Sequence, residues 1–412
     1  MYKDLIQAAK ILSEVCDGRN IDTAFNQFIN EDNNKNFVKD IVYGSVRDFY
    51  LNDFILKKFV KNDIKDHLIQ YLLLNTIYQI NHQSKTEFTV VNEAVKAAKK
   101  INNNFYNFVN AVLRNYLREK NKFVTPDEMN IRYSYPQWWV SNIMKEYPND
   151  YEAILAIGNT RAATVIRINQ RQISFNDYIG LLKQENIDYE LILGGQFIQI
   201  NNVKDITMLP GYDRGHFYVQ DPAAQLVCNF LDIQNGMNIL DLCSAPGGKA
   251  THILERFDVD LDCYDISKER INLIKSNMKR LQLKANVIDK IDINKRYDRI
   301  LIDAPCSGSG VVRRNIDIKL MRKQQDIEKF SNQQLQLLEE GWKILKSGGK
   351  LLYVTCSIFK HENENVVMKF LSKNKDAASQ DLKIPNGFKY QNTQLIPNQF
   401  HDGLYFKIFS KN

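Results

Sequence analysis

Asn238-Ile239-Leu240-Asp241-Leu242-Cys243-Ser244-Ala245-Pro246-Gly247-Gly248-Lys249 is an apolar run that ends in an acidic residue and a glycine turn, then enters a helix. How this stretch is read decides the fold. Glycines let a backbone come close to a ligand, and the helix start offers free N–H groups. A P-loop would need Gly at position 243 and Ser or Thr at position 250, where Cys243 and Ala250 stand. The dinucleotide fingerprint GxGxxG is absent. What remains is a strand–turn–helix that starts from Asp241 and suits a ligand with a cationic amino-acid part.

Downstream, strand and helix patterns alternate. Asn238–Cys243, Asp260–Ile266, Asn286–Ile288, Tyr297–Ala304 and Gly349–Cys356 read as strands, with helical stretches at Lys268–Leu281 and Ser331–Leu345. Ile300–Ile302 and Lys350–Val354 are nearly all apolar, as strands covered on both faces must be. This predicts a doubly wound, Rossmann-like α/β sheet with its ligand site at the carboxyl ends of the strands. Asp265 ends the second strand, roughly 20 residues past the turn, where a carboxylate accepts both hydroxyls of a ribose. The same side chain could cap the helix Lys268–Leu281. After the third strand, Asp292 is the candidate for an adenine contact, with Asp289 the close alternative.

Upstream the pattern changes twice. Residues 1–125 carry helical stripes such as Leu5, Ala9, Leu12, Cys16 and Val91, Ala94, Val95, Ala98, which predict an all-α domain. Residues 126–215 read as a linker and a small α+β module, with helices at Trp138–Glu146 and Phe175–Glu185 and strands at Thr164–Asn169, Tyr189–Leu193 and Phe197–Ile200. The α/β domain takes 216–412. A chain of 412 residues suits this multidomain plan.

Composition narrows the chemistry. With 44% hydrophobic and 25% charged residues the chain is that of a folded, soluble protein, and no apolar run approaches the ~20 residues that span a bilayer. The opening Met1–Asn20 reads as an amphipathic helix and not a secretory signal, so a cytoplasmic protein without a membrane partner is expected. A net charge of +7 permits a nucleic-acid partner without demanding one. The six cysteines form no CxxC pair, and His361-Glu362 lacks the second His of HExxH, so no metal is expected. Single cysteines, carboxylates and a bound cofactor must carry the chemistry.

Three motifs in order narrow it further. Asp241–Lys249, then Asp303-Ala304-Pro305-Cys306-Ser307-Gly308, then Thr355-Cys356-Ser357 resemble the motif set of RNA cytosine-5 methyltransferases. Within that group the chain is similar to the bacterial 16S rRNA methyltransferase B family, also called Sun or Fmu. Val219-Gln220-Asp221, Ile302–Val312, Arg313-Arg314, Asp317-Ile318-Lys319 and Asp402-Gly403 support the likeness. The helical domain resembles the antitermination factor NusB through Val42–Arg47, Val91–Val95 and Val109–Arg114. Ser244 and Ala250 replace a more usual Ala and Thr, Ile316 a Pro, and Leu320 an aromatic residue; the third-strand motif is shortened.

The resemblance implies a class I methyltransferase using S-adenosyl-L-methionine on carbon 5 of a cytosine in 16S rRNA. The substrate would be free or partly assembled, and the enzyme a monomer. Cofactor contacts would come from Cys243, Ser244, Ala245, Pro246, Gly247, Gly248, Lys249, Asp265, Asp292 and Asp303. The family places the nucleophile at Cys356 and product release at Cys306; DNA cytosine methyltransferases use the Pro-Cys position instead, which is the rival assignment.

The chemistry explains the residue types. Carbon 5 of cytosine is a weak nucleophile until a thiolate adds to carbon 6, and an ordinary cysteine, with pKa ~8.5, needs help to ionise. Cys306 and Cys356 end strands expected to be neighbours, ~4.8 Å apart, so both sulfurs can reach one base. Asp303 could bond the exocyclic amine and N3, and Lys249 could neutralise developing charge or bind phosphate. Arg313, Arg314, Lys319, Arg322 and Lys323 follow closely and read as a phosphate-holding cluster. Two other classes fit less well: an RNA-binding assembly or antitermination-like protein with an idle catalytic half, and a methyltransferase acting on tRNA or a small molecule.

Overall fold

The computed structural model describes residues 1–30, 33–82, 86–124 and 126–412. The chain divides into two compact units, Met1–Asn159 with Val312–Gln324, and Thr160–Val311 with Gln325–Asn412. No helix among the described residues is long and apolar enough to cross a membrane.

The first unit is helical: α1 (Tyr2–Cys16), α2 (Ile21–Phe28), α3 (Lys35–Arg47), α4 (Phe49–Phe59), α5 (His67–His82), α6 (Glu87–Ile101), α7 (Tyr106–Glu119), α8 (Met129–Arg132), α9 (Gln137–Glu146) and α10 (Tyr151–Ile157). Leu5, Ala8, Ala9, Leu12 and Val15 bury one stripe of α1, which packs on α3, α5 and α6. Asn20 caps α2 by accepting from the Asp22 and Thr23 N–H groups. Helix α9 groups with this compact unit by its contacts.

A segment from far along the chain completes the unit. It carries α16 (Ile318–Met321). The Asp317 carboxylate accepts from Ile21 N–H and Asn20 Nδ2, both at 3.0 Å. Lys319 is fully buried, donates to the Arg47 carbonyl at 2.8 Å and Asn159 Oδ1 at 2.7 Å, and stands 4.1 Å over the Tyr135 ring. This corrects the expectation that Lys319 holds RNA phosphate; of the expected cluster, Arg314 and Arg322 are half-buried and Lys323 is exposed. Lys319 is a packing residue whose ammonium is spent on the protein, and Arg313 is buried as well.

The second unit opens with β1 (Thr164–Ile168), α11 (Phe175–Gln184), β2 (Tyr189–Ile192), β3 (Phe197–Ile200) and β4 (Phe217–Val219). They form an antiparallel sheet in the order β2-β3-β1-β4. Tyr178 and Leu182 of α11 cover Ile166, Ile168, Ile198 and Phe217 on one face. The other face sends Val165 and Phe197 into the core of the larger domain, so neither face is left open.

Then follow α12 (Pro222–Gln225), α13 (Val227–Phe230), β5 (Asn238–Leu242), α14 (Gly248–Arg256), β6 (Asp260–Tyr264), α15 (Lys268–Arg280), β7 (Asn286–Ile288) and β8 (Tyr297–Asp303). After the segment in the helical unit come α17 (Gln324–Ile344), β9 (Leu345–Thr355), α18 (Glu364–Lys373), β10 (Ala377–Gln380), β11 (Tyr390–Gln391), β12 (Gln394–Leu395) and β13 (Tyr405–Lys411). Strands β7-β6-β5-β8-β9 are parallel in that order, and β13 adds antiparallel to β9. Ile253, Ile274 and Met278 line the core on one face; Leu338, Trp342, Val366 and Phe370 line the other. This is the Rossmann-like methyltransferase architecture expected. Helix α17 starts earlier than its apolar spacing suggests, because most of its first turns face solvent. Nothing in the spacing after Cys356 marks β10 to β13, which take their place by pairing at the sheet's end.

Candidate active site

The carboxyl ends of β5, β6, β8 and β9 converge, and the motif residues sit there. Asp241, the second-last residue of β5, is fully buried and accepts from Ser244 Oγ at 2.9 Å, while its Oδ1 has no hydrogen-bond partner among the described residues. Burial, with Asp303 and Asp265 nearby, outweighs the Ser244 bond and Lys249 and raises its pKa to about 7. The sequence reading used Asp241 only to start the turn; a buried carboxylate with one open oxygen makes it part of the site.

The turn is held from several sides. Cys243 takes a left-handed φ of 75°, and its N–H and that of Ser244 both donate to the Tyr264 carbonyl, at 3.0 and 2.8 Å. Ala245 N–H donates to Asp265 Oδ2 at 3.0 Å, and Asn277 Nδ2 to the Pro246 carbonyl at 2.9 Å. Gly247, the residue before α14, takes a φ of 98°, a region that favours glycine. Asp265 is buried just past β6; its Oδ1 accepts from Ser267 N–H at 3.0 Å, and Ser267, not Asp265, caps α15. Ile266 beside it is 84% exposed, an apolar side chain left in solvent that the strand pattern did not flag. Asp289 directly follows β7. Asp292 lies in the next turn, accepting from Asn294 N–H at 2.9 Å, and both are exposed.

A buttress comes from the small sheet. Arg167 of β1 is buried and binds both carboxylate oxygens of Glu255 at 2.7 Å, the Gly248 carbonyl at 2.8 Å and Thr251 Oγ1 at 3.0 Å, and also donates to Gln220. Asp221 caps α12 and accepts from Asp402 N–H at 3.1 Å. The outlying motifs Val219-Gln220-Asp221 and Asp402-Gly403 therefore brace the site.

At the other side, Lys249 and Asp303 form an ion pair. Burial opposes the charge on Lys249, but Asp303, then Cys356 and Asp241, outweigh it and raise its pKa. The sulfurs of Cys306 and Cys356 lie 3.1 Å apart. The hydrogen bond to Cys356, then burial, then the Cys356 and Glu362 charges push the Cys306 thiol well above its usual range. The Cys306 loop is tied back through Ala304 N–H to the Val354 carbonyl and Gly310 N–H to the Cys356 carbonyl, both at 2.9 Å. Gly310 must be glycine: a Cβ there would lie 2.0 Å from the Gly403 carbonyl oxygen. Among the described residues no group of three or more His, Cys, Asp and Glu could hold a metal ion.

Known proteins resemble this chain along most of its length. Residues 4–118 match the NusB family, 135–206 the ferredoxin-like domain of RsmF/B-like methyltransferases, and 228–410 the 16S rRNA methyltransferase RsmB/F family. A probable ribosomal RNA small subunit methyltransferase B of Coxiella burnetii is 35% identical, covering 92% of this chain and 93% of its own. The ribosomal RNA small subunit methyltransferase B of Vibrio vulnificus is 33% identical over 98% of both chains. The solved structure of a methyltransferase homologue from Pyrococcus horikoshii shares the fold, with a TM-score of 0.60, 22% identity and coverage of 70% of this chain and 100% of its own. With a NusB-like helical unit ahead of a two-cysteine α/β site, and near full-length similarity to these relatives, this chain belongs to the ribosomal RNA small subunit methyltransferase B family.

Proposed function

We propose that this chain transfers a methyl group from S-adenosyl-L-methionine to carbon 5 of a cytosine in 16S rRNA, through a bond between Cys356 and carbon 6 of the base. The observation that carries the reading is the pair of sulfurs 3.1 Å apart, beside the Lys249–Asp303 pair. The cofactor suits the chain's own groups. Asp241 Oδ1, buried and without a partner among the described residues, is an acceptor for its ammonium. Each Asp265 oxygen keeps a lone pair for a ribose hydroxyl, and exposed Ile266 offers an apolar cover to the adenine. Asp292, or Asp289 in its place, contacts the adenine, and the backbone from Cys243 to Gly248 lines the turn. Bound there, the cofactor supplies an electrophilic methyl group.

The residues then divide the work. Cys356 adds as thiolate to carbon 6, and carbon 5 becomes nucleophilic. Lys249, kept charged by Asp303, favours that thiolate. Asp303 bonds the base edge and selects cytosine over uracil. Cys306 stays a thiol until the methyl group is in place; the carbon-5 proton then passes to solvent water, its C–H electron pair forms the carbon 5–carbon 6 double bond, and the Cys356 sulfur leaves as thiolate, a release that Cys306 promotes. A base inside a stack is out of reach, so the target is flipped or single-stranded. The enzyme acts as a cytoplasmic monomer on free or partly assembled 16S rRNA, held in part by the helical unit.

Paired substitutions test this. Cys356→Ala abolishes turnover and any covalent complex. Cys306→Ala accumulates a protein–RNA adduct that survives denaturing electrophoresis. An adduct with Cys356→Ala that is lost with Cys306→Ala reverses the roles, and wild-type turnover by Cys356→Ala overturns the covalent route.

A further inference from the structure

Glu362 closes the short helix Lys360–Glu362, five residues past Ser357, and is fully buried. Its Oε1 accepts from Ser307 N–H at 2.7 Å and from Gln334 Nε2 at 3.3 Å. Its Oε2 accepts from Ser307 Oγ and from Ser357 Oγ, each at 2.6 Å. Ser307 follows Cys306 and Ser357 follows Cys356. One carboxylate therefore binds the residues next to both thiols. Gln334 extends the grip by donating to the Pro305 carbonyl at 2.9 Å, on the other side of Cys306.

The surrounding contacts serve the same two loops. Ser309 Oγ lies 3.0 Å from Ser357 Oγ and accepts from Ile358 N–H at 2.9 Å. Asn363 Nδ2 donates to the Ser357 carbonyl at 2.9 Å. The donors on Glu362 are hydroxyls, an amide and a backbone N–H; burial raises its pKa, and those bonds oppose the rise. A buried carboxylate satisfied by neutral donors costs more than an apolar side chain of its size. What it provides is geometry, because several bonds converging on one rigid group fix the parts they join.

We propose that Glu362 is the positioning residue of the thiol pair, clamping the Cys306 loop to the end of β9 and so fixing the separation of the two sulfurs. The proposal rests on the covalent reading above for its effect on turnover, though not for its effect on the sulfurs themselves.

The test uses the full chain with a 16S rRNA transcript and S-adenosyl-L-methionine. Glu362→Gln should lower kcat by ~100-fold, the scale of a misplacement of about 1 Å, with KM for both substrates within about twofold. A second readout is independent of turnover. Diamide takes two electrons and two protons from the thiols, becoming its hydrazine as Cys306 and Cys356 form a disulfide, scored by the mass of the unreduced peptide pair. That reaction should slow by about tenfold in Glu362→Gln. If that variant does not fold, Ser307→Ala/Ser357→Ala keeps the carboxylate and removes both hydroxyl donors, and the same pattern is expected. Wild-type kcat and wild-type diamide rate in either folded variant overturn the proposal. Failure of the cysteine adduct assay sinks the covalent reading alone, since the diamide rate still reports the clamp.

Discussion

Arg167→Met offers a quantitative test of how the small sheet supports the cofactor turn. The substitution removes a guanidinium whose side chain is 4% exposed and leaves a Glu255 side chain that is 2% exposed. Both Glu255 oxygens lose donors at 2.7 Å, Thr251 loses one at 3.0 Å, and Gln220 Oε1 also loses its donor. The Gly248 carbonyl keeps one bond, from Thr251 Oγ1 at 3.1 Å. Breaking a buried pair by removing one partner costs about 3–5 kcal/mol, whereas an exposed pair is worth ~0–1 kcal/mol. The near-zero exposure of both groups selects the larger figure, a sizeable part of the ~5–15 kcal/mol that holds a typical protein folded. Replacing both partners, as Arg167→Met/Glu255→Leu, removes the orphaned charge and should recover most of that loss. Urea unfolding followed by circular dichroism measures all three proteins. A single-variant loss below ~1 kcal/mol, or a double variant no more stable than the single, would refute the reasoning.

Two further outcomes are expected. Asp241 has a folded pKa of about 7, above the ~3.9 of an unfolded Asp, so the folded chain holds an extra proton between those values and ligand-free stability falls as pH rises across them. A cationic ligand group favours the ionised form, so S-adenosyl-L-methionine affinity should rise with pH toward 7, by at most about tenfold per unit, and level off above it. Calorimetric titration should lose this slope in Asp241→Asn; a flat wild-type profile from pH ~6 to ~8 sinks the assignment. Lys319→Ala should cost about 1–3 kcal/mol by orphaning the Arg47 carbonyl and Asn159 Oδ1, and leave the salt dependence of RNA binding unchanged. A salt slope reduced by ~1 would return Lys319 to the RNA contacts.

Much of the fold follows from local pattern. Ile300–Ile302 and the run ending at Val354 read as strands buried on both faces, and they are, because a parallel strand covered by helices leaves no room for polar residues. The glycine turn, Asp265, Asp303 and both cysteines were legible for a related reason: in such a sheet, residues at strand ends meet at one edge. Glu362 gave a fainter signal, a carboxylate amid Ile358, Phe359 and Val366 just past the Cys356 loop.

Tertiary structure decided what depends on partners far along the chain. Lys319 looks like surface because a lysine is normally solvated, and only the Arg47 carbonyl and Asn159, brought together by the helical unit, make its burial tolerable. Strand β4 is too short to declare itself and exists by pairing with β1. Asp241 shows an ordinary strand-end carboxylate in sequence, and its unpartnered oxygen emerges only when the sheet closes over it. The order of the motifs along the chain brings Cys306 and Cys356 to neighbouring strands. Their 3.1 Å separation comes from hydrogen bonds that converge from Ser307, Ser357, Gln334 and Glu362, which no local periodicity encodes.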